Sequence, residues 1–205
     1  MEFLVTMTTQ VPAGTSDDVV ANVRRREAAH SDDLAEQGLL LRLWRPPVEP
    51  GEWRTLGLFS GENGEQLEKT LASMPLRVWR HDEVTPLAPH PNDPAPERRA
   101  PRAQLPEFFT VFTYRIPKDT WPDEVSAVTA REAVRAEELA DQRALVRLWQ
   151  LPAAAGQPRA LGLWRAADQL RMRAILDSLP MSSWTTVQTT PLAVHPSDPG
   201  ATSTS

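Results

Sequence analysis

The sequence contains no cysteine among its 205 residues, which excludes disulfides, thiol nucleophiles and zinc sites built on cysteine. Lys69 and Lys118 are its two lysines, and the remaining 20 of the 22 basic residues are arginine. No apolar run approaches the roughly 18 residues of a membrane span, and the N-terminus has neither a basic segment nor a cleavage site. A net charge of −5 argues against nucleic acid and membrane surfaces as partners. We therefore expect a cytoplasmic protein.

Motifs for common cofactors and nucleophiles are also absent. The sequence has no phosphate-binding loop, no dinucleotide fingerprint and no Gly-x-Ser-x-Gly turn. Its four histidines, His30, His81, His90 and His195, do not have the spacing of metal ligands. We therefore predict no metal site. His90 and His195 recur but lie next to prolines, so we interpret them as structural or incidental.

The chain is a tandem repeat of one domain-sized unit. Residues 1–94 align with 106–199 at a constant offset of 105, and 36 of the 94 positions are identical. This predicts a first repeat over 1–94, a Pro/Arg-rich linker over 95–105, a second repeat over 106–199 and a disordered tail over 200–205. Two fused copies of one domain usually replace a homodimer, so we expect the repeats to pack on each other. Further assembly into a homo-oligomer is left open.

Each repeat has the pattern of a ferredoxin-like βαββαβ unit. Phe3, Val5 and Met7 alternate with polar residues, which predicts a first strand. A capping cluster at 15–18 predicts a helix that ends near Gly38. Further strands are predicted over 39–44, 55–59 and 77–84, with a second helix over about 63–74. The expected fold class is α+β, with βαββαβ repeated twice to form a pseudo-dimeric α/β barrel.

Glu27 and its counterpart Glu132 are the candidate catalytic residues. Positions 20, 23, 27, 31 and 34 lie on one side of the first helix, so Glu27 falls within the apolar stripe. A carboxylate on a buried face tends to have a raised pKa, as a general acid/base near neutral pH requires. The alternative is a structural ion pair with an arginine, Arg26 or Arg42.

The second strand carries the candidate substrate-binding residues. Alternation places Leu39, Leu41 and Leu43 on one face, which should meet the helices, and puts an arginine and a tryptophan on the other. Such a pair could bind a carboxylate and give an apolar wall to a small ring. An inter-repeat salt bridge with packing is the alternative. The candidates in the two copies are Arg42 and Trp44, and Arg147 and Trp149.

With these residues in view, each copy resembles muconolactone Δ-isomerase. The resemblance covers almost all of both copies. The matching stretches are Met1–Val5, Glu27, Leu43-Trp44-Arg45, Phe59, Pro75-Leu76, the segment from Glu83 to Leu87, and His90-Pro91. Where the family has a histidine two positions before the tryptophan, this chain has Arg42 and Arg147.

The resemblance implies a cofactor-free isomerase of aromatic catabolism that moves a proton on a small unsaturated lactone or a related carboxylic acid. In that case Glu27 and Glu132 would carry the proton, and Arg42 and Arg147 would hold a carboxylate or an enolate oxygen. A non-catalytic binding or assembly module, a lactone dehalogenase and a cofactor-independent monooxygenase on the same fold are the alternatives.

Overall fold

A computed structural model describes residues 1–98 and 105–199 of the chain. The chain divides into two compact units, which do not coincide with the two repeats. The first unit comprises Met1–Leu87 and the segment that begins at Ala193, and the second comprises Ala88–Leu192. Each unit therefore includes the end of the last strand of the other repeat and the segment that follows it. Most of the predicted linker at 95–105, and the whole predicted tail at 200–205, lie outside the described residues.

The first unit has the element order βαββαβ. Its elements are β1 (Glu2–Thr9), α1 (Asp17–Glu36), β2 (Leu40–Arg45), β3 (Trp53–Ser60), α2 (Gly64–Ser73) and β4 (Arg80–Pro89). The strands pair antiparallel in the order β4-β1-β3-β2, and Ala193 and Val194 add to the outer edge of β2. Gly38, just beyond α1, adopts φ +69°, the left-handed conformation that ends many helices.

The second unit repeats this topology. Its elements are β5 (Glu107–Tyr114), α3 (Pro122–Asp141), β6 (Leu145–Ala154), β7 (Gln157–Arg165), α4 (Gln169–Asp177) and β8 (Thr185–Val194). The strand order is β8-β5-β7-β6, and Ala88 and Pro89 pair with the outer edge of β6. Asp168 caps α4 by accepting the backbone N–H of Arg171 at 2.7 Å, as Asn63 caps α2. The predicted fold class, α+β with two ferredoxin-like repeats, is confirmed.

Each core lies where the apolar faces of the sheet and helices meet. The predicted alternation of β1 is confirmed, because Phe3, Val5 and Met7 are all buried. The first core consists of Phe3, Val5, Met7, Leu34, Leu40, Leu43, Phe59, Leu67, Leu71 and Met74. In the second core Trp164 replaces Phe59, and its indole N–H donates to the Thr110 hydroxyl at 2.7 Å. These packed layers fix the orientation of α1 and α3, which carry the two glutamates.

Two local predictions were wrong. The fourth strand begins at Arg80 rather than at position 77, because Pro75–Trp79 form a 3-10 turn. Leu39, Leu41 and Leu43 do not share a face. The pairing of β2 with β3 shifts register between Leu40 and Arg42, so Leu40 and Leu43 both enter the core. A β-bulge of this kind interrupts the two-residue period from which the face was predicted.

None of the helices within the described part of the chain is both long and apolar enough to cross a membrane.

Candidate functional site

A cavity of about 160 Å³ opens in the first unit beside Glu27. Glu27 is contributed by α1, Arg45 by β2, Trp53 and Thr55 by β3, and Arg80 by β4. Residues 195–197, which follow β8, complete the wall. The remaining lining residues are Met7, Thr9, Arg24, Ala28, Ser31, Leu43, Met74 and Leu76.

Glu27 is held in a buried charge network. One of its carboxylate oxygens accepts the backbone N–H of Leu76 at 2.8 Å, and the other accepts Arg80 Nη1 at 3.0 Å. Arg80 also binds Asp82 through two further hydrogen bonds, at 2.6 and 3.1 Å, and Arg77 donates to the same carboxylate. The side chains of Arg80 and Asp82 are 2% and 1% exposed. The arginine partner expected for Glu27 exists, but it is Arg80 rather than Arg26 or Arg42.

A larger cavity, of about 280 Å³, surrounds Glu132 in the second unit. Its walls are aromatic and aliphatic, and the described residues that line it include no lysine or arginine. The lining residues are His90, Pro91, Asn92, Phe112, Tyr114, Ile116, Thr129, Glu132, Ala136, Leu145, Leu148, Gln150, Pro158, Trp164, Leu179 and Met181.

Glu132 is the one carboxylate in this lining and has a different environment from Glu27. It accepts the backbone N–H of Met181 at 2.9 Å and makes no salt bridge with any residue of the described ranges. Burial raises the pKa of Glu132, and the Met181 hydrogen bond opposes that rise only in part. Burial, together with the nearby Glu132 charge, also raises the pKa of Tyr114 to about 12. The phenol is therefore protonated and able to donate a hydrogen bond at neutral pH.

His90 and His195 each line one of the cavities, a role that the sequence interpretation missed. Nδ1 of His90 accepts the backbone N–H of Asn92 at 3.0 Å, and Nδ1 of His195 accepts that of Ser197 at 3.1 Å. In the neutral ring the proton is then on Nε2. Burial lowers the pKa of both rings. The sequence did contain a signal for this role, because each histidine is followed by a proline and, three positions on, by an aspartate in both repeats.

The predicted substrate-binding residues lie outside the linings of both cavities. The Arg42 guanidinium stacks 4.7 Å from the Trp44 ring, and its Nε donates to Asp198 at 3.1 Å. Asp198 also accepts the backbone N–H of Leu43, at 2.8 Å. In the second unit Arg147, Trp149 and Asp93 make the same arrangement. These contacts anchor the segment after the last strand, and substrate binding by the four residues stays a prediction.

Among the residues that the structure describes, no group of three or more histidine, aspartate or glutamate side chains is placed to hold a metal ion. The chemistry available in the two cavities is that of carboxylate, imidazole, phenol and guanidinium groups.

This fold, with a glutamate and a histidine lining a cavity in each compact unit, defines a tandem α+β protein with two carboxylate-bearing cavities. The family model for muconolactone delta-isomerase matches residues 1–93 and 107–198. The chain therefore belongs to the muconolactone delta-isomerase family, as two fused copies.

Two relatives agree with this assignment, and a solved structure shares the fold. Muconolactone Delta-isomerase 1 of Acinetobacter lwoffii is 32% identical over 92 residues, which are 45% of this chain and 93% of the relative. The enzyme of Acinetobacter baylyi is 29% identical over the same shares. Chlorite dismutase from Candidatus Nitrospira defluvii matches 94% of this chain and 91% of its own, with a TM-score of 0.55 and 8% identity. The last likeness shows the fold alone.

Proposed function

We propose that the chain is a cofactor-free isomerase that moves a proton on a small unsaturated lactone or related carboxylic acid, and that Glu132 is its base. The observation that carries the proposal is the environment of Glu132: an apolar cavity, a raised pKa and no cationic partner among the described residues. A proton shuttle works best when its pKa lies near the working pH, and desolvation moves Glu132 in that direction.

The reaction needs one base and a hydrogen-bond donor. The Glu132 carboxylate would remove a proton from the ring γ-carbon and leave a dienolate, whose negative charge lies largely on the lactone oxygen. The protonated Glu132 would then return the proton to the α-carbon, so that only the double bond has moved. The Tyr114 hydroxyl and the Nε2–H of His90 line the same cavity and are neutral donors suited to stabilise the dienolate oxygen.

The lining also bears on the substrate. The described residues that line the second cavity include no lysine or arginine. The cavity therefore favours an uncharged ligand group, such as a lactone ring. A volume of about 280 Å³ lies just below the roughly 300–1,000 Å³ of drug-sized ligand sites, which favours a small ligand. A five-membered unsaturated lactone with a short side chain fits both properties.

The test compares (+)-muconolactone with β-angelica lactone, a methyl-substituted butenolide that keeps the γ-proton and carries no carboxylate. Double-bond movement is followed by ultraviolet absorbance, and deuterium uptake from D₂O into the ring is followed by NMR. We expect Glu132→Gln to lower turnover by about 100- to 10,000-fold, as loss of a general base does. The matched variant Glu27→Gln should keep most of the turnover. Absence of both signals in the wild type, or an active Glu132→Gln variant, would overturn the proposal.

A second function is favoured for the first repeat. Its glutamate is bound to Arg80, as a non-catalytic binding module would require, although it still lines a cavity. The Leu76 N–H and the Arg80 guanidinium each occupy one oxygen of Glu27, and proton transfer to Glu27 would remove one of the two carboxylate charges that pair with this buried cation. We therefore propose that the first repeat binds rather than reacts.

A further inference from the structure

Cationic side chains surround the first cavity at three positions. Arg80 lies at its buried wall, and Arg24 and Arg45 are exposed lining residues. Arg80 is paired with Glu27 and Asp82. Arg24 and Arg45, in contrast, make no salt bridge with any residue in 1–98 or 105–199. The cavity thus presents two guanidinium groups that have no carboxylate partner among the described residues, and one of them, that of Arg24, stacks on Trp53.

The second repeat supplies an internal control for this feature. At the constant offset of 105, Arg24 corresponds to Thr129, and Arg45 corresponds to Gln150. Both uncharged residues line the second cavity at the matching positions. The positive charge is therefore specific to the first cavity and is not a requirement of the fold.

His195 lines the first cavity together with Arg24 and Arg45. Burial, and then the charges of Arg45 and Arg24, lower the pKa of His195 to about 4, although Asp198 opposes the shift. His90, in the second cavity, has a lowered pKa through burial alone, opposed by Asp93. The charges of both arginines therefore act within the first cavity, and they favour a negative ligand there.

The apolar part of the lining indicates an organic anion. Trp53 presents a ring that the Arg24 guanidinium covers at 5.0 Å, and Met7 and Leu43 add aliphatic surface. A volume of about 160 Å³ lies below the roughly 300–1,000 Å³ of drug-sized sites, which restricts the ligand to few atoms. An arginine can bind a carboxylate through two parallel hydrogen bonds.

We propose that the first cavity is a binding site for a small planar carboxylate, held by Arg24 and Arg45 with its apolar body against Trp53. The site is distinct from the proposed isomerase centre at Glu132. It requires no chemistry at Glu27.

The experiment is calorimetric titration of the full chain with 2-furoate at low ionic strength. The uncharged 2-furamide, which has the same ring, and inorganic phosphate serve as comparison ligands. We expect 2-furoate to bind at least about tenfold more tightly than either, since the amide lacks the charge and phosphate lacks the ring. Equal affinity for 2-furamide or for phosphate, or no binding of 2-furoate, would overturn the proposal.

Variants locate the site. Arg24→Thr with Arg45→Gln gives the first cavity the residues of the second, and we expect at least about a tenfold loss of 2-furoate affinity. Arg25→Gln with Arg26→Gln removes two exposed charges that do not line the cavity, and it should leave affinity within about twofold. Glu132→Gln should also leave the affinity for 2-furoate unchanged. Failure of the carboxylate-site proposal is therefore distinguishable from failure of the isomerase proposal. Equal losses in the two arginine pairs would overturn the site.

Discussion

The two repeats keep the same glutamate at the same place on the same helix, yet they give it opposite surroundings. Glu27 has a buried guanidinium as a partner, whereas Glu132 has a backbone N–H and apolar walls. The difference follows from substitutions at matched positions. Arg77, Arg80 and Asp82 of the first repeat correspond to Ser182, Thr185 and Val187 of the second.

The environment, and not the carboxylate itself, therefore determines what each glutamate can do. A cation within hydrogen-bond distance stabilises the charged form, whereas burial without one stabilises the protonated form. Duplication within one chain allows one copy to change its surroundings while the other keeps them.

The largest effect is expected at Arg80. Replacing Arg80 by Thr, the residue of the second repeat, leaves the buried Glu27 and Asp82 carboxylates without their shared cation. Loss of one partner of a buried ion pair typically costs about 3–5 kcal/mol of unfolding free energy. Urea denaturation at neutral pH measures this loss of unfolding free energy.

The control for Arg80 is its counterpart. Thr185→Val removes a half-buried hydroxyl in the second repeat, which donates to the Ser182 carbonyl at 3.2 Å. We expect a change below about 1 kcal/mol. If the two substitutions had similar costs, the charge network would not be what distinguishes the repeats.

Most of the fold could be predicted because it depends on local periodicity. The alternation of Phe3, Val5 and Met7 and the helical stripe through Glu27 are both set by backbone geometry, and both are observed. The β2 bulge could not be predicted in this way. An inserted residue leaves no mark in a run of leucines, so the face of Leu41 was assigned incorrectly.

The site was harder to predict because its contacts are distant in sequence. Glu27 and Arg80 are 53 residues apart, and nothing in the sequence distinguishes Arg80 from other arginines as the partner. His90 and His195 were interpreted as structural or incidental because they lie next to prolines. Each histidine lies in a segment, 88–98 or 193–199, that belongs to the compact unit formed mainly by the other repeat. The repeat boundaries in the sequence did not indicate this exchange of segments.

A smaller effect is expected at His195. Its folded pKa of about 4 lies below the ordinary 6.5, because of burial first and then of Arg45 and Arg24. The unfolded chain therefore binds the proton first as pH falls, and stability should drop between pH 6.5 and about 4. We expect His195→Gln to reduce this slope more than His90→Gln does, in denaturation series across that window. If NMR titration gave His90 and His195 the same midpoint, the expected electrostatic difference between the two cavities would be contradicted.

The smallest effect, but the one with the clearest sign, is expected for the glutamates in stability measurements. The pKa of Glu132 is raised in the folded state, chiefly by burial, so the folded chain holds this proton more tightly than the unfolded chain. Its contribution is fully present below the ordinary value of 4.5 and is lost as pH rises through the folded pKa. Glu132→Gln should therefore stabilise the protein at neutral pH, and this gain should disappear in acid. The effect is modest because the Met181 N–H already offsets part of the desolvation.

Glu27→Gln should have the opposite sign at neutral pH, because the amide cannot replace a carboxylate bound to the Arg80 guanidinium. Urea denaturation of both variants at neutral and at acidic pH provides the comparison. Opposite signs at neutral pH would show that one duplicated glutamate favours folding through its charge while the other opposes folding through its charge. The same sign for both would mean that their different surroundings do not separate them, and the assignment of proton transfer to the second repeat would lose its physical basis.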